Sequence, residues 1–210
     1  MPFVTERQKP VRNEALSYYR TVAKRFSLRI HAYEKVNHII KQNDRYIVHT
    51  ETENGIKNEY VTTYVIIATG YYDNPNMLKV KGEELPHVSH YFKEAHPYYQ
   101  RKVVIIGGKN SAVDAAIELE RVHADVTVLY RGNDYSSSVK PWILPLFQSL
   151  VNNEKIKMVF NATIEEITSD SVKANVHGES LSFPADKVFA MTGYEPDQSF
   201  LRSVGITIDH

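Results

Sequence analysis

The stretch VVIIGGKNSAVDAA, residues 103–116, passes from β-branched residues through two glycines into a segment suited to a helix. A strand that turns through glycine into a helix gathers unpaired backbone N–H groups and the positive end of the helix dipole at one point. That point attracts phosphate. In the dinucleotide fingerprint G-x-G-x-x-G/A, the first glycine makes the turn and the second lets backbone approach a pyrophosphate. The third small residue lets helix and strand pack closely. Here these places hold Gly107, Lys109 and Ala112. A lysine at the second place either obstructs an anion or adds a cation to its site. Gly107, Gly108, Lys109, Asn110, Ser111 and Ala112 are therefore the candidate phosphate-binding group.

The end of the next strand decides which dinucleotide fits. An acidic residue about 20 positions past the loop takes the ribose 2′-hydroxyl of NADH, whereas an arginine there suits the extra phosphate of NADPH. The strand DVTVLY is followed by Arg131, and Lys140 is a possible second cation, so NADPH is the expected nucleotide. There is no cysteine in the chain, which excludes thiolate metal sites, cysteine nucleophiles and a redox dithiol among these residues. His87, His90 and His96 cluster in PHVSHYFKEAHPYY without the helical H-E-x-x-H spacing, so no metal site is expected. No side chain stands out as a general acid or base, and the catalytic residues stay unassigned.

Lys plus Arg and Asp plus Glu each number 25 in 210 residues. With no net charge, nothing draws the whole chain to nucleic acid or to an anionic membrane, and any anion site must be local. The opening MPFVTERQKP has no apolar run of a signal peptide, and no stretch reaches the roughly 20 apolar residues of a membrane span. A cytoplasmic protein is expected.

The elements that would hold these residues follow from periodicity. NEALSYYRTVAKRF reads as a helix, and SLRIHAYEKV, RYIVHTET and NEYVTTYVIIATG read as strands divided by QND and ENGIKN. Residues 71–101, rich in Pro, His and Tyr without a period, read as a linker. Beyond it come strand, glycine loop, helix and strand to Tyr130, a helix in PWILPLFQSLVNN, and short strands KIKMVFN, TIEEIT, SVKANV, SLSF and KVFAMTG. Residues 28–70 and 156–193 repeat one order: strand, three-strand meander, strand, and a turn of ATG or MTG type. Such internal repetition marks duplicated domains. Only the second copy is preceded by its own strand, glycine loop, helix and strand.

The fold expected is α/β, with two Rossmann-type nucleotide-binding domains that each carry a three-stranded β-meander, the first truncated. Residues 1–75 would form the partial domain, 76–101 the linker and 102–195 the intact domain, with 196–210 returning toward the first. Ala68, Thr69 and Gly70 in the first copy, and Thr192 and Gly193 in the second, form the strand-end turns.

Two such domains in succession, each closing on an ATG-like turn, resemble the flavoprotein disulfide reductases. KPVRNEALSYYR, IIATGYYDNPN, HYFKEAHPYY, GGKNSAVDAA, YSSSVKPWILP and FAMTGYEPD are similar to the bacillithiol-disulfide reductase group, relatives of low-molecular-weight thioredoxin reductase. The resemblance implies an FAD- and NADPH-dependent oxidoreductase acting on a small-molecule disulfide, of which this chain is the NADPH-binding portion and part of the FAD-binding portion. It places Ala68, Thr69 and Gly70 near FAD. It puts His90 and Lys93 where thioredoxin reductase has its C-x-x-C pair, so these residues relay no electrons as a dithiol. Without a first glycine loop, the chain is expected to retain little or no FAD, to be inactive alone, and to associate with further copies of itself. A flavin-containing monooxygenase and a non-catalytic nucleotide-binding module are the alternatives.

Overall fold

A computed structural model describes residues 11–207. They form two compact units, one made of the described residues up to Ala68 with those from Gln198 onward, the other of Thr69–Asp197.

The first unit opens with helix α1, Arg12–Arg25, whose N-terminus is closed by Glu14 accepting the Val11 N–H at 2.8 Å. Lys24 and Arg25 sit in its last turn, where cations oppose the dipole. Strands β1 (Glu34–Gln42), β2 (Arg45–Thr52) and β3 (Lys57–Thr62) form an antiparallel meander. The β1–β2 hairpin turns on Asn43 at φ +53°, the left-handed conformation that a tight two-residue turn requires.

Residues 28–30 and 64–70, expected as strands on either side of this meander, carry no ladder. Among the described residues of the unit no strand runs beside them, and an isolated strand has nowhere to place its backbone hydrogen bonds except water. Leu28, Ile30, Tyr64 and Ile66 are accordingly 54, 62, 84 and 91% exposed. Helix α4, Gln198–Ser203, belongs to this unit.

The second unit is built on a parallel sheet. Its strands are β4 (Val88–Ser89), β5 (Lys102–Ile106), β6 (Asp125–Leu129), β7 (Ile156–Val159) and β11 (Lys187–Ala190), in the order β4-β11-β5-β6-β7. Alternation along β5 divides the core between two faces. Val103 and Ile105 pack with Val126 and Val128 against Ala112, Ala115, Ala116 and Leu119 of helix α2 (Asn110–Arg121) and Phe147 of helix α3 (Leu144–Asn152). Val104 and Ile106 face the other way, onto Ile167, Val172, Ala174 and Phe183. These belong to a second meander, β8 (Ala162–Ile167), β9 (Ser171–Val176) and β10 (Glu179–Pro184). Each fully buried Val, Leu or Ile contributes about 1.5–3 kcal/mol, so a β5 with four buried residues anchors both layers.

The segment expected as a linker is part of this unit. Strand β4 pairs with β11, Leu78, Val80, Leu85 and Val88 pack on the meander-side core, and Phe92 and Tyr98 meet Phe189 edge-on. The segment packs through irregular backbone, so its apolar residues show no period. The unit boundary consequently lies at Ala68 rather than at residue 75 or 101.

In the first unit one carboxylate ties the meander together. Glu34 of β1, with a side chain only 7% exposed, accepts hydrogen bonds from Thr50 of β2 and from Asn58 and Tyr60 of β3, and contacts His31 at 2.9 Å. The Thr50 hydroxyl, then Asn58, Tyr60 and His31, outweigh the opposing effect of burial and hold its pKa at about 2, from an ordinary 4.5. A depressed folded-state pKa contributes stability above the unfolded value that is lost as the folded value is approached. The first unit should therefore weaken as pH falls from about 4.5 to about 2. Glu34→Gln should be less stable at neutral pH and flatter across that window. Acid unfolding of both proteins followed by circular dichroism checks this, and identical profiles would contradict it.

Candidate nucleotide-binding site

In the second unit the chain leaves β5 in one direction to reach β6 and returns through β11 on its other side. Connections that part in this way open a crevice at the carboxyl ends of the strands, where ligands bind in open α/β sheets. A cleft of about 450 Å³ occupies that place, bounded by the ends of β5, β6 and β11.

The glycine loop forms one wall, and each of its glycines has a steric cause. Gly107 lies at φ +137°, and a Cβ there would stand 2.4 Å from the Met191 carbonyl oxygen. At Gly108 a Cβ would meet the Tyr130 ring at 2.4 Å, and a Cβ at Gly132 would meet the same ring at 2.4 Å. Lys109 has neither constraint. It is the N-cap of α2, at φ −101° and ψ −172°, extended backbone that any residue adopts. Its carbonyl accepts the Val113 N–H at 3.0 Å, and its exposed side chain lines the cleft. The lysine thus leaves the turn undistorted and adds a cation where the helix N-terminus opens. No acidic residue stands in the first turn to oppose an anion.

Gly107, Gly108, Lys109, Arg131 and Thr192 line the cleft together. Other residues expected in the site have different contacts. The Asn110 side chain donates to the Ser138 carbonyl at 2.7 Å and accepts the Lys140 N–H at 2.9 Å, tying α2 to the following loop. Lys140 Nζ lies 3.4 Å from Asp114 Oδ2, Ser111 faces solvent, and Ala112 is buried in the helix–sheet core. Gly193 accepts the Asn76 N–H at 3.0 Å and stands just behind the lining.

Ala68 closes the first unit and Thr69 and Gly70 open the second, all three exposed. Gly70 is left-handed at φ +69°, a conformation that glycine adopts without steric cost. The described residues of the first unit nevertheless contain no strand, glycine loop and helix, since Gly55 serves the β2–β3 turn. They do not supply a pyrophosphate cradle for FAD.

Several lining residues carried no sequence signal. Asn76 clamps the β11 turn: it donates to Gly193, accepts the Thr192 hydroxyl at 2.5 Å, and its amide reaches the Thr192 carbonyl at 3.4 Å. Met77, Leu78 and Val80 continue this wall, and Ala162, Thr163 and Ile164 come from β8. Only the strand ends brought together by folding make these residues neighbours. Close by, burial and then Tyr72 push the Tyr194 phenol up to about 12, so it stays protonated and donates to the His90 carbonyl at 2.9 Å. Among the described residues, none that lines the cleft is His, Asp, Glu, Ser or Cys. It can hold and orient an anionic, elongated ligand, and it offers no nucleophile or proton-transfer group of those types.

Over 209 residues, 99% of this chain, the sequence is 54% identical to bacilliredoxin reductase Bdr of Bacillus subtilis strain 168, covering 63% of that protein. The structure superimposes on bacillithiol disulfide reductase Bdr (YpdA) from Bacillus cereus with a TM-score of 0.95 at 54% identity, covering 100% of this chain and 64% of that one. The same enzyme from Staphylococcus aureus gives 0.92 at 55% identity, again over 100% of this chain and 63% of the other. The chain thus spans slightly less than two thirds of these relatives. Thioredoxin reductase of Lactococcus lactis, at 24% identity and a TM-score of 0.76 over 97% of this chain and 68% of that one, shares the fold. The pyridine nucleotide-disulphide oxidoreductase family model matches residues 1–210, and with a glycine loop at the switch point of a Rossmann-type sheet the chain belongs to that family.

Proposed function

We propose that this chain is the NADPH-binding portion of an FAD-dependent oxidoreductase that reduces a low-molecular-weight disulfide. The observation that carries this reading is the pairing of two cations with a helix N-terminus in one cleft. Lys109 caps α2 beside the glycine loop, and Arg131 stands at the end of β6. Gly107, Gly108 and Lys109 would hold the pyrophosphate of NADPH, and Arg131 its 2′-phosphate. Met191, Thr192 and the wall formed by Asn76, Met77 and Leu78 would receive its nicotinamide end. High identity to bacillithiol disulfide reductases supports a disulfide of that size class.

When bound, NADPH supplies a hydride and a flavin receives it, as the chemistry of these cofactors dictates. The chain's own residues fix the nucleotide's register and keep its phosphates on the helix end. His90 and Lys93 stand where a C-x-x-C pair would be, so no dithiol relay runs through them. The repeat of residues 28–70 in 156–193 supports the first unit as the flavin-side domain and the second as the NADPH domain. The apolar side chains of Leu28, Ile30, Tyr64 and Ile66 support contact with further protein, a second copy included.

A charge-assisted hydrogen bond contributes about 1.5–3 kcal/mol, or about 10- to 100-fold in affinity. Titration should show wild type preferring NADPH to NADH by that factor, and Arg131→Ala losing the preference while its NADH affinity stays the same. Equal wild-type affinities would overturn the assignment.

Lys109→Gly should change NADPH affinity by less than about tenfold, about 1.4 kcal/mol. The helix N-terminus remains, and extended backbone at that position suits glycine and lysine alike. Calorimetric titration measures the change, and abolished binding would make the lysine the principal phosphate ligand.

A further inference from the structure

We infer that Glu83, which does not line the cleft, is a positioning residue that sets the nicotinamide-side wall. The inference rests on the nucleotide reading above and deepens it.

Glu83 has a side chain only 5% exposed. A carboxylate removed from water is unfavourable unless its oxygens are hydrogen-bonded. Both oxygens here serve the backbone of one short turn: Oε1 accepts the Leu78 N–H at 2.7 Å and Oε2 the Lys79 N–H at 2.8 Å. The turn closes further through the Glu83 N–H, which donates to the Val80 carbonyl at 3.3 Å. One wall of the cleft is made of residues in and next to this turn, Asn76, Met77, Leu78 and Val80. The carboxylate therefore acts on the ligand site through the wall's backbone.

The backbone it holds would not adopt this shape unaided. Lys79 lies at φ +59°, a left-handed conformation uncommon for a residue with a side chain. Such conformations persist only where the surroundings enforce them, and they gather at ligand clamps. Gly82, at φ +87°, is pressed so closely on β8 that a Cβ would fall 1.8 Å from the Ile167 carbonyl oxygen. The turn is thus pinned to the sheet at one end and tied by Glu83 at the other. His90 packs against the tie, with Nε2 at 3.2 Å from Glu83 Oε1. Only the carboxylate engages the two N–H groups in this arrangement, and a side-chain amide of the same size would turn an NH₂ toward one of them.

The test compares two ligands on the full chain. NADPH reaches the wall, whereas adenosine 2′,5′-bisphosphate carries the phosphate for Arg131 and ends near the glycine loop. For Glu83→Gln, calorimetric titration should give NADPH affinity lowered about tenfold or more, equivalent to about 1.4 kcal/mol, with the bisphosphate unchanged within about twofold. Equal losses for both ligands would show a general loss of structure, and no loss for either would show a wall indifferent to Glu83. Each result overturns the inference. If circular dichroism shows that Glu83→Gln does not fold, Glu83→Asp carries the same comparison: a selective NADPH loss supports the inference and an equal loss refutes it. A wild type that binds neither ligand would overturn the nucleotide reading itself, a result distinct from these.

Discussion

A parallel strand is stable only where neighbours on its edges take up its backbone hydrogen bonds, and this constraint governs both units. In the second unit β5 is paired on both sides, by β6 and by β11, with four residues buried between two layers. That double pairing brings the ends of three strands to one crevice. It also sets the close approach of Gly107 to Met191, which leaves no room for a side chain. The site is a consequence of how the sheet is ordered. In the first unit residues 28–30 and 64–70, which the internal repeat matches to β7 and β11, have no such neighbours among the described residues, and Leu28, Ile30, Tyr64 and Ile66 are exposed.

Two buried carboxylates show how polar groups stabilise irregular geometry in a fold of this kind. Glu34 receives hydrogen bonds from side chains on the two other strands of its meander and thereby holds three strands in register. Glu83 receives backbone N–H groups and thereby shapes a turn. Neither lines the cleft at the strand ends, where the charged side chains are cations. The division is physically consistent: anions are used inside the fabric, and positive groups are presented where an anionic ligand arrives. Asn76 performs a related task without charge, locking the end of β11 to the chain segment that enters the sheet.

The loop lysine illustrates why a motif has to be interpreted through its contacts. In the general fingerprint the second glycine lets backbone approach a pyrophosphate. Here the crowded positions are Gly107 and Gly108, against Met191 and the Tyr130 ring, while Lys109 occupies relaxed N-cap backbone. Glycine is required wherever a neighbour excludes Cβ, and that neighbour need not be the ligand.

The sequence by itself determined the elements and the chemistry of the loop. Periodicity located α1, α2, β2, β6 and the second meander, because alternating burial leaves its mark on consecutive residues. The glycine pattern and Arg131 marked a candidate anion site, because a turn and a strand end are local features. Tertiary structure alone decided which candidates meet. Asn110 and Lys140 bond to each other and to neighbouring residues, Asn76 and Leu78 arrive from a segment without period, and Glu83 acts from behind the wall. It also decided that residues 76–101 belong to the second unit and that residues 28–30 and 64–70 form no strands. These outcomes depend on partners distant in sequence. A hydrogen-bond ladder or a buried contact is a property of two segments, and one segment read alone contains only half of it.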